Sequence, residues 1–254
     1  FTVTISSVAF IRIGLISYQV GHLCTLELAR RISARGAPAT IFAFPFTPRE
    51  HKLTGFQDRP YQILGFDPQP FFQQHKISYQ VIGGWSDHHA LEFQKYADKI
   101  DVFIICIGKI IPASFLKGQT FVNAHPGLLP QNRGVDAFKW SIYNKWPIGV
   151  TLHIVNEQID AGQILRRQRV PIYPTDTLKD VADRTYHIES DLLIDVEKWM
   201  KEAKSTWEVD PDSYPLSHHR ISENDNLKIE AFFFENRKYF IKLSTDLSVF
   251  PFSS

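Results

Sequence analysis

Cysteine is nearly absent: the 254 residues hold only Cys24 and Cys106, 82 positions apart. That spacing makes neither a disulfide framework nor a zinc motif, and both thiols lie among apolar residues, where free cysteines are commonly buried. No run approaches the roughly 20 apolar residues that a membrane span needs. Val8 to Leu15 is apolar, but Arg12 interrupts it and no basic segment precedes it. No secretory signal is therefore expected, and the chain is read as cytoplasmic with no membrane partner. An excess of one charge is also lacking: 28 Lys and Arg face 27 Asp and Glu, a formal charge of +1. Grip on nucleic acid comes from many cations on phosphates, so no nucleic-acid partner is expected. A small anionic ligand needs only a few local charges and stays open. Internal repeats and low-complexity tracts are missing. What is present, 44% hydrophobic and 22% charged residues, is an ordinary globular composition. The length allows one to two domains and a sizeable core.

Strand-like and helix-like patterns alternate through the first 200 residues, which predicts an α/β fold with a mainly parallel sheet. Val8 to Ser17, Ala39 to Phe44, Ser78 to Ile82, Asp101 to Ile107, Phe121 to Asn123, Val150 to Val155 and Ile164 to Ile172 read as strands. Asp101 to Ile107 is the clearest, an unbroken apolar run of the kind parallel strands prefer. His22 to Ala34, Ser86 to Tyr96 and Asp136 to Asn144 read as helices, Phe71 to His75 as a helical turn, and Thr47 to Pro70 as irregular chain. Thr177, with Asp180 three residues on, has the form of a capping box. It opens a helix whose apolar positions, Leu178 through Trp199, keep a 3.6 period. After about residue 205 the texture changes. Val209 to Pro215 carries two prolines and two aspartates, a loop signal. Ile229 to Phe234 and Tyr239 to Leu243 are aromatic runs separated by four polar residues, which reads as a β-hairpin. The expected organisation is one α/β domain over 1–204 and a small β-rich C-terminal appendage over 205–254.

The chemically informative stretch runs from Phe121 to Leu165. Asn123 and His125 stand two apart at the end of a buried strand, so extended geometry points them to one side. Open α/β sheets take ligands at such carboxyl ends. An amide donor beside an imidazole suits an oxygen that gains negative charge, and the imidazole can move a proton. Thr151 and His153 are again two apart on a strand. Asp160, next to Gly162 in a loop, has a carboxylate that reaches the same crevice, where it is expected to raise the pKa of His125 and fix its orientation. Singly, each has a plainer reading: His125 and Asp160 as turn residues, Asn123 as a strand end. His88-His89 and His218-His219 are adjacent pairs whose side chains diverge on a strand or a helix, and no Cys or carboxylate cluster completes a metal site, so no metal is expected.

The ordered set Asn123-Ala124-His125-Pro126-Gly127-Leu128-Leu129-Pro130, Arg133-Gly134, the Trp140 helix, Gly149-Val150-Thr151-Leu152-His153 and Asp160-Ala161-Gly162 resembles the folate-dependent formyltransferase family. Gly108-Lys109-Ile110-Ile111-Pro112 resembles that family's loop after a buried strand, and Gly127 stands where many members have Ser. The resemblance implies a Rossmann-like domain and 10-formyltetrahydrofolate as co-substrate. It implies that a primary amine attacks the formyl carbon directly, with Asn123, His125 and Asp160 as the catalytic set. Asn123 and a protonated His125 would steady the oxyanion, and His125 or Asp160 would relay the amine's proton. Thr151 and His153 would support them from behind. Gly108, Lys109, Ile110, Ile111 and Gln158 would meet the folate, and a homodimer is implied as well.

The form Asn132-Arg133-Gly134 followed by Phe138-x-Trp140-Ser141-Ile142 looks most like the members that formylate nucleotide-linked dideoxy amino sugars for lipopolysaccharide O-antigen. There Asn132, Arg133 and Lys139 are candidate ligands of the acceptor and its pyrophosphate. Ile16 to Gly21 lacks a glycine-rich phosphate loop. From residue 201 onward seven Lys and Arg face nine Asp and Glu, a charge of −2 that does not suit a tRNA-holding tail. Glycinamide ribonucleotide as acceptor, hydrolysis of the folate by water, and a non-catalytic folate or nucleotide module of the same fold remain the alternatives.

Overall fold

The computed structural model describes residues 11–48, 55–203 and 216–246. Among these residues seven strands form one sheet: β1 (Ile13–Tyr18), β2 (Ala39–Phe44), β3 (Ser78–Val81), β4 (Val102–Ile105), β5 (Phe121–His125), β6 (Gly149–Ile154) and β7 (Ile164–Arg169). Their spatial order is β3-β2-β1-β4-β5-β6-β7. β1 to β5 are parallel, and β6 and β7 run antiparallel to their neighbours. The helices are α1 (Leu23–Ala34), α2 (Gln69–Gln74), α3 (Asp87–Ala97), α4 (Ala113–Leu116), α5 (Ala137–Tyr143), α6 (Leu178–Ile194), α7 (Val196–Glu202) and α8 (Glu223–Thr245). The chain lays β2 and β3 on one side of β1 and then returns to the other side with β4. The strand order reverses there, so the carboxyl ends of β1 and β4 flank the crevice where such sheets take ligands.

Strict alternation sorts each strand into two faces. Leu15, Ile41, Ile104, Val122, Ala124, Val150 and Leu152 face a core shared with α1, α5, α6 and α8. Ile16, Phe42, Phe44, Phe103, Ile105 and Phe121 face a second core under α3 and α4. The second is aromatic: Phe103 and Phe121 stack at 4.8 Å, and Phe93 of α3 meets Phe42, Phe44, Phe103 and Phe121. Asn123 and His125 lie two and four residues beyond Phe121, so the same alternation carries them onto this face where the aromatic packing ends.

Thr177 caps α6 as its spacing predicts: its hydroxyl accepts from the Asp180 amide, and the Asp180 side chain accepts from the Thr177 amide. The periodic stripe to Trp199 is divided at Asp195 into α6 and α7. The leading part of the strand expected from Val8, the Val209 to Pro215 loop and the boundary at 204/205 lie outside the described residues.

The expected C-terminal β-hairpin is a helix. Both aromatic runs belong to α8, which Ser222 caps by accepting from the Asp225 amide at 3.1 Å. Asn226, Ile229, Phe233, Phe240 and Leu243 recur at helical spacing and are its buried side. The intervening Glu-Asn-Arg-Lys contains neither Gly nor Pro and continues a helix readily. The runs suit strands locally, but the one-sided burial decides the outcome. Phe240 is fully buried and stacks on Phe233 at 5.5 Å within the main core. Phe240→Ala should therefore cost about 3–5 kcal/mol in urea unfolding. A loss within about 0.5 kcal/mol, the range of surface positions, would show that α8 does not share the core.

Candidate active site

β5 and β6 assemble the site by register. Asn123 pairs with His153 and His125 with Thr151, so all four side chains emerge on one face. Thr151 is fully buried. Its hydroxyl donates to the Gly127 carbonyl at 2.7 Å and accepts from the Leu129 amide at 3.0 Å. Thr151 thus ties down the His-Pro-Gly turn rather than entering the crevice. The side-chain amide of Asn123, half-buried, has no hydrogen-bond partner among the described residues and is available to a ligand.

The Asp160 loop closes over this pair. Ile164 lies opposite His153 across a register shift, and the Ile154 amide donates to the Gln163 carbonyl. A β-carbon on Gly162 would fall 1.8 Å from the Ile154 carbonyl oxygen, so only glycine lets the loop fold back this tightly. Two residues earlier Asp160 is left-handed at φ 48°, a conformation Asp tolerates better than most residues. Its carboxylate lies between two imidazoles: Oδ2 is 3.4 Å from His125 Nδ1 and Oδ1 is 3.6 Å from His153 Nε2. The Gly134 amide donates to Oδ2 at 2.9 Å.

The ring tautomers follow from the carbonyls behind them. His125 Nε2 is 2.7 Å from the Asn132 carbonyl, and His153 Nδ1 is 3.0 Å from the Ile154 carbonyl. A carbonyl only accepts, so those nitrogens carry the protons. In a neutral His125 the bare lone pair is then on Nδ1, facing Asp160. Burial disfavours charge on both members of the pair. For Asp160 the opposed His125, His153 and the Gly134 amide outweigh that penalty, and the carboxyl stays well below its ordinary range. For His125 burial wins over the pull of Asp160, with His153 and Arg59 adding to it, and its pKa is lowered. The expected rise is thus reversed: the carboxylate does pull upward, but it does not compensate for a ring that is 4% exposed.

The residues expected to hold the acceptor have other engagements. Asn132 is buried and donates to the Ala137 carbonyl and the Ser141 hydroxyl. Arg133 is buried too, and its Nε and Nη2 both donate to the Ile159 carbonyl, at 3.0 and 2.7 Å. Its guanidinium is directed into the protein, not toward an anion. Lys139, buried on α5, faces Asp58 at 3.8 Å. Of the residues expected to meet the folate, Gly108, Lys109 and Ile110 form an exposed shoulder after β4 and Ile111 is buried behind it. Gln158 is exposed beside Asn156, whose side chain accepts from its amide. The exposed side chains of Ile110 and Ile159 are apolar surface of the kind that suits a flat heteroaromatic ring.

Sequence reasoning missed a second set of charges over the crevice. Arg59, from the irregular segment before α2, is paired with Glu189, which is buried on α6. Burial pushes Glu189 up to about 7 against the pull of Arg59. The signal was available: a carboxylate inside the apolar stripe of an amphipathic helix is rarely left without a partner. The same segment closes the start of α1. The Leu23 amide donates to the Gln62 carbonyl at 2.9 Å and the Cys24 amide to Gln62 Oε1 at 3.1 Å. His22 beside it is held neutral, its pKa lowered by burial and by Arg59 to about 4. Cys24 and Cys106 meet below this point as free thiols, and burial together with Cys24 pushes the Cys106 thiol up. Among the described residues no group of three or more His, Cys, Asp or Glu is placed to hold a metal, and no helix is long and apolar enough to cross a membrane.

Comparison with known proteins places this geometry among relatives. A methionyl-tRNA formyltransferase of Bacteroides fragilis is 27% identical over 159 residues, covering 56% of this chain and 49% of its own length. A dTDP-4-amino-4,6-dideoxyglucose formyltransferase of Mycobacterium bovis is 34% identical over 84 residues, covering 33% of this chain and 36% of its own. Phosphoribosylglycinamide formyltransferases occur among both the sequence relatives and the solved structures. The chain thus spans about half the length, or less, of these curated relatives. The structure of a sugar N-formyltransferase from a Shewanella species shares the fold with a TM-score of 0.57 at 20% identity, over 87% of each chain. The formyl transferase model matches residues 67–196, just over half of the sequence and the stretch that carries β4 to β7 with Asn123, His125 and Asp160. The chain belongs to the formyl transferase family.

Proposed function

We propose that the chain transfers a formyl group from 10-formyltetrahydrofolate to the amine of a nucleotide-linked dideoxy amino sugar. The observation that carries the reading is the buried His125 paired with Asp160, beside an Asn123 side-chain amide that has no hydrogen-bond partner among the described residues. The folate derivative supplies the formyl carbon; Gly108 to Ile111 and the loop containing Gln158 would hold it. Asn123 is the donor for an oxygen that gains negative charge, a role typically worth about 2.7–4 kcal/mol. His125 Nε2 is tied to the Asn132 carbonyl, so that donation rests on Asn123 and not on the imidazole. His125 Nδ1 and Asp160 Oδ2 together form a two-site well for the proton that leaves the attacking amine.

The sugar acceptor is favoured by the start of α1. A helix N-terminus at a strand-order reversal is a ready seat for a terminal phosphate. In this chain Gln62 fills that seat, so a phosphoribosyl amine would first have to displace it. A nucleotide sugar, whose phosphates lie inside the molecule, makes no such demand. A homodimer acting in the cytoplasm on O-antigen precursors belongs to the same proposal.

The test is a panel assay. Purified protein receives 10-formyltetrahydrofolate with GDP- and dTDP-linked amino sugars, with glycinamide ribonucleotide, or with water alone. Formyl mass gain on an amino sugar is the expected result. Gain only on the ribonucleotide would replace the acceptor, and formate release without any amine would replace the transferase. Tight binding with no turnover on any amine would make the chain a binding module.

A further inference from the structure

We propose that Arg133 is a positioning residue for proton transfer: its guanidinium, held on the Ile159 carbonyl, sets the Asp160 loop so that the carboxylate meets His125. The inference rests on the reading of His125 and Asp160 as the proton-handling pair.

Three consecutive residues each hold one part of that pair. The Asn132 carbonyl accepts from His125 Nε2 at 2.7 Å and fixes the ring from behind. Arg133 places Nε and Nη2 on one oxygen, the Ile159 carbonyl, whose peptide leads directly into Asp160. The Gly134 amide donates to Asp160 Oδ2. The imidazole, the loop and the carboxylate are therefore referenced to a single turn. Two donors converging on one acceptor fix direction as well as distance, which a single lysine ammonium does not do.

Arg133 is buried, yet among the described residues no carboxylate lies within ion-pair distance of it. A buried guanidinium that serves only a carbonyl is costly to keep for stability alone. Among the described residues its guanidinium bonds only the Ile159 carbonyl, immediately before Asp160, whose left-handed backbone aims the catalytic carboxylate.

The turn itself is anchored from outside the sheet. The His218 amide donates to the Arg133 carbonyl at 2.8 Å and the Val135 amide donates back to the His218 carbonyl at 3.0 Å. Gly134 has φ 97°, and a β-carbon there would stand 2.3 Å from the His218 carbonyl oxygen. The His218 ring stacks on Trp140 at 4.7 Å, and Trp140 Nε1 donates to the His219 carbonyl. The segment before α8 is thus the back plate on which the turn rests.

The experiment compares Arg133→Met and Arg133→Lys with the parent protein. The His125 ring is followed by NMR titration without substrate, and kcat and KM are measured for both substrates. A misplaced carboxylate withdraws its upward pull, so in Arg133→Met the His125 titration should move to lower pH. kcat should fall by roughly 10²-fold, the scale of an ångström misplacement, with both KM values kept. Arg133→Lys, with one donor direction, should recover part of each change. An increase in the acceptor KM with kcat kept would make Arg133 an acceptor ligand and overturn the proposal. An unmoved His125 titration would overturn it as well, and so would loss of the folded state in both variants, which would leave Arg133 as a purely structural residue. If the parent protein formylates nothing in the panel, the proposed function fails, and the NMR comparison still decides whether Arg133 positions Asp160.

Discussion

His125→Ala should lower kcat by roughly 10²–10⁴-fold while the protein stays folded, the loss expected when a positioned proton acceptor is removed. The expectation rests on the ring's two sides. Nε2 carries its proton to the Asn132 carbonyl, and Nδ1, without a proton in the neutral ring, faces Asp160 at 3.4 Å. His125→Gln separates holding from proton transfer. Its amide can still donate to the Asn132 carbonyl, but it offers no basic nitrogen, so it should be about as slow as the alanine variant. Burial lowers the pKa of His125, so the neutral ring persists below the ordinary histidine value of about 6.5. The acid limb of the rate profile should accordingly lie below that pH, with activity lost as pH falls through it. A glutamine variant with near-parental turnover would reduce His125 to a strut, and an alanine variant that kept most of the activity would remove it from the mechanism.

The parts of the molecule legible in the sequence are those fixed by local periodicity and by order along the chain. β4 announces itself as an unbroken apolar run, α6 by its capping box, and Asn123, His125, Thr151 and His153 by spacing of two on strands that prove to be neighbours. α8 reads as two strands because its aromatic runs are good strand formers. Only the core formed by distant α5 and α6 gives Ile229, Phe233, Phe240 and Leu243 one side to bury. Arg133 reads as an anion ligand because an exposed and a buried arginine are the same letter; in the fold its guanidinium is engaged by a carbonyl 26 residues away. The direction of the His125 shift was hidden for a related reason. The carboxylate can be read from the motif, but the depth of burial that outweighs it belongs to the assembled fold.

Asp160→Asn should reduce turnover on the same scale, roughly 10²–10⁴-fold, but with a different signature. An asparagine can keep the acceptor for the Gly134 amide and leaves the loop geometry of Gly162 untouched. What disappears is the negative charge between His125 and His153. That charge raises the pKa of His125 against the burial penalty, so without it the ring should titrate at still lower pH. The residual activity of Asp160→Asn should therefore keep its acid limb to lower pH than the parent. Stability provides an independent check. Asp160 has its folded pKa held below the unfolded value of about 3.9, so it contributes stability above that pH. The contribution disappears as pH falls through the lower, folded value. The parent should accordingly be more stable than Asp160→Asn at neutral pH, and urea midpoints measured at successively lower pH should converge below about pH 4. If Asp160→Asn proved equally stable at pH 7 with an unmoved His125 titration, the carboxylate would not be coupled to the imidazole, and the two-site proton well would have to be abandoned.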